Sequence, residues 1–281
     1  MPTLTPAQLA FFHENGYLKL TAAEHNLVSP AQLQQWTNEV RSWPLEKGKW
    51  MPYFEVTSDG TRQLMRTENF VDFHEPFRDL VCGDGLGGVL GQLAGEKTTL
   101  FKDKINYKLP NGNGFHAHVD YHAYSHIAPL AHLTANIAVD DATVANGCLE
   151  IVPGSHRMEI AFEQGGRIAR GWEDAHEWVP VELCRGDVLF FGSMLAHRSK
   201  RNESVAGRSS VYVTFVGRGE GEGEGKGEGL RRRYYEHRRR AFPPDHERDA
   251  EVDYAQGWKQ YGFAAPFSPT DAVDAVPTVK A

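Results

Sequence analysis

The sequence predicts a mainly β fold, an antiparallel barrel of the jelly-roll kind with flanking helices. Three observations carry this reading. Helix start and stop signals crowd the first 95 residues. From about residue 98 to 218 the chain is a succession of short apolar or alternating runs divided by Gly, Pro, Asn and Asp turns. The helices come mainly before the strands instead of alternating with them, as a parallel α/β sheet would require.

Thr5-Pro6 reads as an N-cap with proline in the first helical turn. Leu9, Phe11 and Phe12 follow, Gly16 is the stop, and Tyr17 to Leu20 reads as a short strand. Ser29-Pro30 opens a second helix that sets Leu33, Trp36, Val40 and Trp43 roughly on one face. These helices are expected to buttress the barrel by packing alone. Residues 50–70 read as a strand pair with ordinary solvated charges, unless Glu55 or Arg66 reaches the site. Residues 75–95 are expected to be helical, ending at Gly95.

Thr98 to Leu109 is a strand that sets Lys104 and Asn106 on the same face. The Pro110–Gly114 loop then delivers the chain to Phe115–His122. Leu133–Val139 is a strand with Asn136 in its middle, and Asn146-Gly147 is a turn leading to a strand at Cys148–Val152. Val179–Leu183, Val188–Phe191 and Ser209–Val216 are the remaining strands. Gly219–Gly229 alternates Gly with Glu or Lys and is expected to be flexible. Residues 231–240 hold six arginines and read as a solvated helix that neutralises the acidic linker, in preference to a grip for an anion or RNA. The last dozen residues read as a frayed tail. Residues 1–281 are thus expected to form one catalytic domain: a helical buttress over about 5–95, the β core over about 98–218, the Gly/Glu segment 219–229, and a C-terminal helix and tail over 230–281.

Composition bounds the partners. The chain is 41% hydrophobic and 24% charged, enough for one large core. A formal net charge of −7 argues against nucleic acid as a partner. No run of 18 apolar residues is present, so no membrane span is expected. The N-terminus lacks a basic region followed by an apolar run, and three cysteines without framework spacing suit a reducing cytoplasm. The expected partner is a small-molecule substrate, handled by a monomer or homodimer.

The chemistry concentrates in Phe115–His122. Five histidines fall between 116 and 132. Residues two apart on a strand point the same way, so His118 and Asp120 can reach one metal with Val119 turned aside. A neutral imidazole and a carboxylate suit Fe(II), and two histidines with one carboxylate leave coordination positions open for small reactants. A structural zinc site would close its shell with four ligands, and Cys82, Cys148 and Cys184 have no such spacing. The same letters admit a second reading. His116, His118, Asp120 and His122 resemble the H-x-H-x-D-H motif of zinc metallo-β-lactamase-type hydrolases, with Tyr121 as one residue too many. A zinc hydrolase using His116, His118 and Asp120, and a non-catalytic ligand-binding barrel, therefore stand as alternatives.

Phe115-x-x-His118-x-Asp120, Asn146-Gly147-Cys148-Leu149, Pro153-Gly154-Ser155-His156-Arg157, Gly186-Asp187, and His197-x-Ser199 followed by Arg208 together resemble the phytanoyl-CoA dioxygenase (PhyH) family of Fe(II)/2-oxoglutarate oxygenases. The resemblance runs from Thr5 to about Phe267 and implies a double-stranded β-helix, cupin-like, with iron at one mouth. It implies iron ligands at His118, Asp120 and His197. It puts the 2-oxoglutarate anchor at Arg208, eleven residues after His197, assisted by Ser199. A guanidinium fork suits a carboxylate. Asn136, Lys104 and Asn106 fall where relatives touch the co-substrate, and Val119 stands where many relatives carry Gln. The implied reaction consumes O2 and 2-oxoglutarate and hydroxylates, desaturates or cyclises a small molecule. Halogenating relatives lack the carboxylate that Asp120 supplies. The run Leu100–Lys108 resembles bacterial members that act on small polar molecules, 2-aminoethylphosphonate among them. Tyr121, His122, Tyr124 and His126 follow the ligands and offer both aromatic and cationic linings, so a phosphonate or carboxylate and a greasy natural product both remain open as substrates.

Overall fold

The computed structural model describes residues 2–128, 131–163, 165–217 and 226–262. The N-terminal part comprises α1 (Pro6–Asn15), β1 (Tyr17–Leu20), α2 (Ala22–His25), α3 (Pro30–Arg41), β2 (Met51–Val56), β3 (Arg62–Glu68), α4 (Glu75–Cys82) and α5 (Asp84–Ala94). The core follows as β4 (Thr98–Lys108), β5 (Phe115–His118), α6 (Asp120–Tyr124), β6 (His132–Ala138), β7 (Leu149–Ile151), α7 (Arg170–Asp174), β8 (Val179–Val181), β9 (Val188–Gly192), β10 (His197–Ser199) and β11 (Arg208–Gly217). Two helices, α8 (Lys226–Ala241) and α9 (Ala255–Tyr261), close the described chain.

The strands form two antiparallel sheets. One has seven strands in the order β1-β9-β6-β11-β4-β3-β2, the other four in the order β5-β10-β7-β8. This is the jelly roll that the turn-divided strands predict, and the double-stranded β-helix that the family resemblance implies. The helix signals hold at residue level. Thr5 makes a capping box with Gln8, Pro6 follows it, and Gly16 ends α1 in the left-handed conformation. The 75–95 stretch is two helices, because Gly83 takes an extended conformation between α4 and α5.

One face of the large sheet meets the helices. Ile105, Tyr107, Val211, Val213, Ala135 and Ile137 join Leu33, Phe77, Leu86 and Leu90 in one apolar core. The other face looks into the barrel; it is apolar where Ala138, Leu189 and Phe191 pack with Leu149, Ile151 and Val181 of the small sheet, and polar along β4. Along β4 the inward positions are Lys102, Lys104, Asn106 and Lys108, which lie opposite Thr214, Tyr212, Ser210 and Arg208 of β11.

Two charge readings from the sequence need correction. The 50–70 strand pair carries buried charges as well as solvated ones: Glu55, Arg66 and Glu68 are buried, while Arg62 is exposed. The arginine-rich stretch is a helix, but not a solvated one throughout. Arg238 is 1% exposed and donates to Glu68 Oε1 at 3.1 Å, while Arg231 donates to Asp103 Oδ1 at 2.5 Å. Arg66 and Lys102 reach the same Glu68 oxygen at 3.0 and 3.5 Å. Both corrections have one cause. The β3–β4 ladder stops at Glu68 opposite Lys104, and α8 packs over β4 beyond that point. There the Tyr235 hydroxyl accepts from the Asp103 backbone N–H at 3.1 Å and lies 3.0 Å from the Asp103 carbonyl. Charge content alone cannot tell a solvated helix from one that docks two arginines on buried acids.

Residues 218–225 and those beyond 262 lie outside the described residues, and with them the expected flexible segment and tail; Lys226–Gly229 belong to α8. No helix among the described residues is long and apolar enough to cross a membrane.

Candidate active site

His118 closes β5, and Val119 continues the extended conformation for one more residue (φ −117°, ψ 141°). Asp120 is not on the strand as the two-residue spacing predicts; it is the first residue of α6. The alternation survives because Val119 is extended and fully buried on the opposite side. His197 opens β10, directly opposite His118 in the antiparallel register. His118 Nε2 lies 3.7 Å and His197 Nε2 3.9 Å from Asp120 Oδ1. The three ligand atoms lie within 4.8 Å of one another and could hold one metal ion.

Backbone carbonyls fix both imidazoles. Nδ1 of His118 is 2.6 Å from the His116 carbonyl, and Nδ1 of His197 is 2.9 Å from that of Leu195. Each Nδ1 therefore donates, which leaves each Nε2 as a lone pair facing Asp120. Burial, reinforced by His197, pushes the His118 imidazole down to about 3. Burial alone would raise the Asp120 carboxyl, but His197, Lys104 and His118 hold it well below the usual carboxylate range. Neutral imidazoles beside a carboxylate are the donor set that Fe(II) takes. His116 is exposed and stands outside this group, so the third side chain beside His118 and Asp120 is His197 and not the one a zinc hydrolase motif requires.

A pocket opens beside the metal position. His118, His197, Ser199 and Arg208 line it, together with Lys104, Asn106, Lys108 and Glu55. At its far end are two buried cations. Arg208 Nη2 donates to the Gly147 carbonyl at 2.7 Å and Nη1 to Ser210 at 3.1 Å, while its Nε is buried with no partner. Lys108 donates to Ser199 Oγ at 2.8 Å, to the Lys200 carbonyl at 2.5 Å and to the Gly147 carbonyl at 3.2 Å. All these acceptors are neutral. Burial, and then Arg208, push the Lys108 ammonium well below its ordinary value. Two like charges out of water with no carboxylate in hydrogen-bonding contact, and an unused guanidinium N–H, suit one end of a dicarboxylate. Lys108 was not singled out by sequence. It is four residues past Lys104 on the same strand face, and that parity was the available signal.

Other predicted site residues fall elsewhere. Asn136 lies beside Tyr212 in the ladder and is buried, its Oδ1 without a partner. Asn106 lines the pocket, with its Oδ1 likewise unpartnered. Glu55 lines the pocket but accepts from Gln63 at 2.9 Å and from the Asn113 backbone and side chain at 3.1 Å. Arg66 is engaged by Glu68, and its guanidinium carbon lies 5.7 Å from the Phe115 ring centre. Tyr124 is buried against Phe101 and Tyr234. His126 is bonded to Tyr261 at 2.9 Å, against α9. Tyr121 and His122 turn away, Tyr121 toward the cluster around Val119 and His122 against Phe162.

Comparison with known proteins identifies the family. The phytanoyl-CoA dioxygenase (PhyH) family profile matches residues 12–210. The chain is 38% identical to "Dioxygenase lolE1" of Epichloe uncinata over 87% of its own length and 93% of that protein. It is 38% identical to a methylphosphonate hydroxylase of Gimesia maris, covering 92% of each chain. It is 33% identical to a 2-aminoethylphosphonate dioxygenase of an uncultured bacterium, covering 95% and 99%. Among solved structures, EctD from S. alaskensis, crystallised with 2-oxoglutarate and 5-hydroxyectoine, superposes with a TM-score of 0.65 at 21% identity over 76% of each chain, a likeness of fold. The chain belongs to the phytanoyl-CoA dioxygenase family, and its activity is that of a 2-oxoglutarate-dependent non-haem iron dioxygenase.

Proposed function

We propose that this dioxygenase hydroxylates a small anionic substrate of the phosphonate class. The observation that carries the reading is the cationic inward face of β4. Lys102, Lys104 and Lys108 point into the barrel, and Arg66, Arg208 and Arg238 are buried around them. The acids inside are fewer. Glu68 is shared by Arg66, Lys102 and Arg238, Asp120 faces the two histidines, and Glu55 is held by Gln63 and Asn113. Lys104 is outside both the Glu68 group and the Lys108–Arg208 corner, and a greasy substrate would leave its ammonium desolvated with no answering charge, at a cost of several kcal/mol by rough order. The names of two relatives, a methylphosphonate hydroxylase and a 2-aminoethylphosphonate dioxygenase, point the same way.

In this reading His118, Asp120 and His197 hold the iron. Arg208, Lys108 and Ser199 hold the distal carboxylate of 2-oxoglutarate, with Asn106 near its chelating end. Iron and co-substrate supply the oxidising power: O2 and 2-oxoglutarate become succinate and CO2, and one oxygen atom enters a substrate C–H bond. The protein's part is to orient the two organic molecules and to keep water out. In the same reading Asp120 would be an iron ligand, which argues for oxidation of the substrate C–H bond and against halogenation.

Succinate release tests the reading. With Fe(II), 2-oxoglutarate and O2 it should depend on an added phosphonate such as methylphosphonate, and His118→Ala or Asp120→Ala should abolish it. Release stimulated equally by neutral compounds of the same size would sink the phosphonate assignment. Activity intact in the ligand variants would sink the metal site.

A further inference from the structure

We propose that Lys104 is the residue that recognises the anionic group of the substrate. This rests on the phosphonate reading above and deepens it to one side chain.

The argument starts from which cations are already engaged. Lys102 lies 3.5 Å from Glu68 and 3.4 Å from the Tyr124 hydroxyl. Arg66 and Arg238 share that Glu68. Lys108 and Arg208 are tied to Gly147, Ser199 and Ser210 at the other end of the pocket. Lys104 stands apart from all of these. Its ammonium has no hydrogen-bond or ion-pair partner among the described residues, and it lies over the face of the Tyr212 ring, 4.9 Å from the centre. It is half-buried, with its remaining surface turned into the pocket it lines with His118 and His197.

Its place along the strand fixes its role. Lys104 and Lys108 are four residues apart on β4, roughly 13 Å at the rise of a strand. One carboxylate cannot sit on both. Lys108 faces Arg208 across the ladder, whereas Lys104 faces Tyr212 and Glu68. A co-substrate stretched from the metal toward Lys108 and Arg208 leaves Lys104 on the opposite, substrate side. Closing the pocket over a neutral molecule would strip water from an unanswered ammonium, whereas a phosphonate oxygen would replace that water with a charge-assisted bond.

The test is a binding titration of methylphosphonate into protein loaded with Zn(II), an inert stand-in for iron, and 2-oxoglutarate. Wild type, Lys104→Met, Lys104→Gln and Lys104→Arg are compared by calorimetry. Because Lys104 makes no hydrogen bond to the fold, the Met variant keeps the packing of its stem, and the Gln variant serves should Met not fold. The expected result is a loss of about 10- to 100-fold in affinity for Met and Gln, as for one charge-assisted hydrogen bond. Arg should recover part of that loss, and the affinity for 2-oxoglutarate, titrated separately, should stay within about threefold by the same measure. Methylphosphonate binding to Met and Gln as tightly as to wild type overturns the assignment while the phosphonate reading stands. Loss of 2-oxoglutarate affinity in its place gives Lys104 to the co-substrate and also overturns it. Wild type that binds 2-oxoglutarate but not methylphosphonate overturns the phosphonate reading, and the assignment with it.

Discussion

Lys108 and Arg208 face each other across the β4–β11 ladder, and both donate to the carbonyl oxygen of Gly147, at 3.2 and 2.7 Å. Two buried cations thus share one neutral acceptor. The arrangement stores repulsion that a bound carboxylate would relieve. Lys108→Met should therefore weaken 2-oxoglutarate binding by about 10- to 100-fold while leaving the co-substrate-free protein as stable as wild type or more so. Melting curves with and without 2-oxoglutarate check both halves. An undiminished ligand-induced rise in Tm would remove Lys108 from the anchor.

Gly147 is the second test of the same corner. Its φ is +72°, and a Cβ there would come within 2.3 Å of the Lys200 carbonyl oxygen and 3.0 Å of Lys108 Nζ. Gly147→Ala should raise the KM for 2-oxoglutarate by displacing both cations, with a smaller change in kcat at saturation. Wild-type kinetics would mean that the turn accommodates a side chain by moving away from the pocket.

Acid should destabilise the metal-free protein earlier than carboxylate titration would. Burial, aided by His197, pushes His118 down to about 3, and burial, aided by His237, pushes His126 down to about 4. The same imidazoles in an unfolded chain titrate near ~6.5. Between those values the unfolded chain binds protons that the folded chain does not, so stability rises with pH across that window and falls as pH drops through it. Denaturant melts of metal-free protein at about pH 7, 6 and 5 should show a steady decline. A flat response would mean that both imidazoles titrate normally in the fold.

Charge inside the pocket also predicts selectivity between phosphonates. Glu68 answers three cations, Glu55 is held by Asn113 and Gln63 beside the Lys108 end, and Asp120 faces the histidines. No carboxylate among these is left for an ammonium on the substrate. Methylphosphonate should have a higher kcat/KM than 2-aminoethylphosphonate, by about tenfold or more if an ammonium must be desolvated unpaired. The reverse order in competition assays would show that one of these acids is released on binding.

Arg238 gives a prediction about stability. It is 1% exposed, bonded to Glu68, and its guanidinium carbon lies 4.3–4.8 Å from the ring centres of Tyr53, Phe242 and Tyr261. Arg238→Met should cost about 3–5 kcal/mol, as for other buried pairs broken from one side. A denaturant titration that finds less than about 1 kcal/mol would place the helix's contribution in its apolar contacts instead.

Much of this was legible in the residues. The N-cap at Thr5, the turn-divided strands and the His118–Asp120 spacing each rest on local rules that tertiary contacts did not overrule. Three things were not. Asp120 belongs to a helix start, because period-two spacing fixes side-chain direction and not hydrogen bonding. Lys108 hid at a strand end, since only its register with Arg208 reveals a shared acceptor. Arg231 and Arg238 read as solvated because their acids, Asp103 and Glu68, lie more than a hundred residues away.

The hydroxyl of Tyr235 stands where a strand would otherwise be, answering the Asp103 N–H beyond the point where β3 ends. A bare stretch of strand edge is a template for another chain. Here the cover comes from a residue 132 positions later in the sequence. During synthesis that N–H stays unanswered until α8 has been made, although every strand of both sheets is already complete. The hazard of premature pairing between growing chains is thus concentrated in the interval between β11 and α8, and any product that stops there carries the sticky edge permanently.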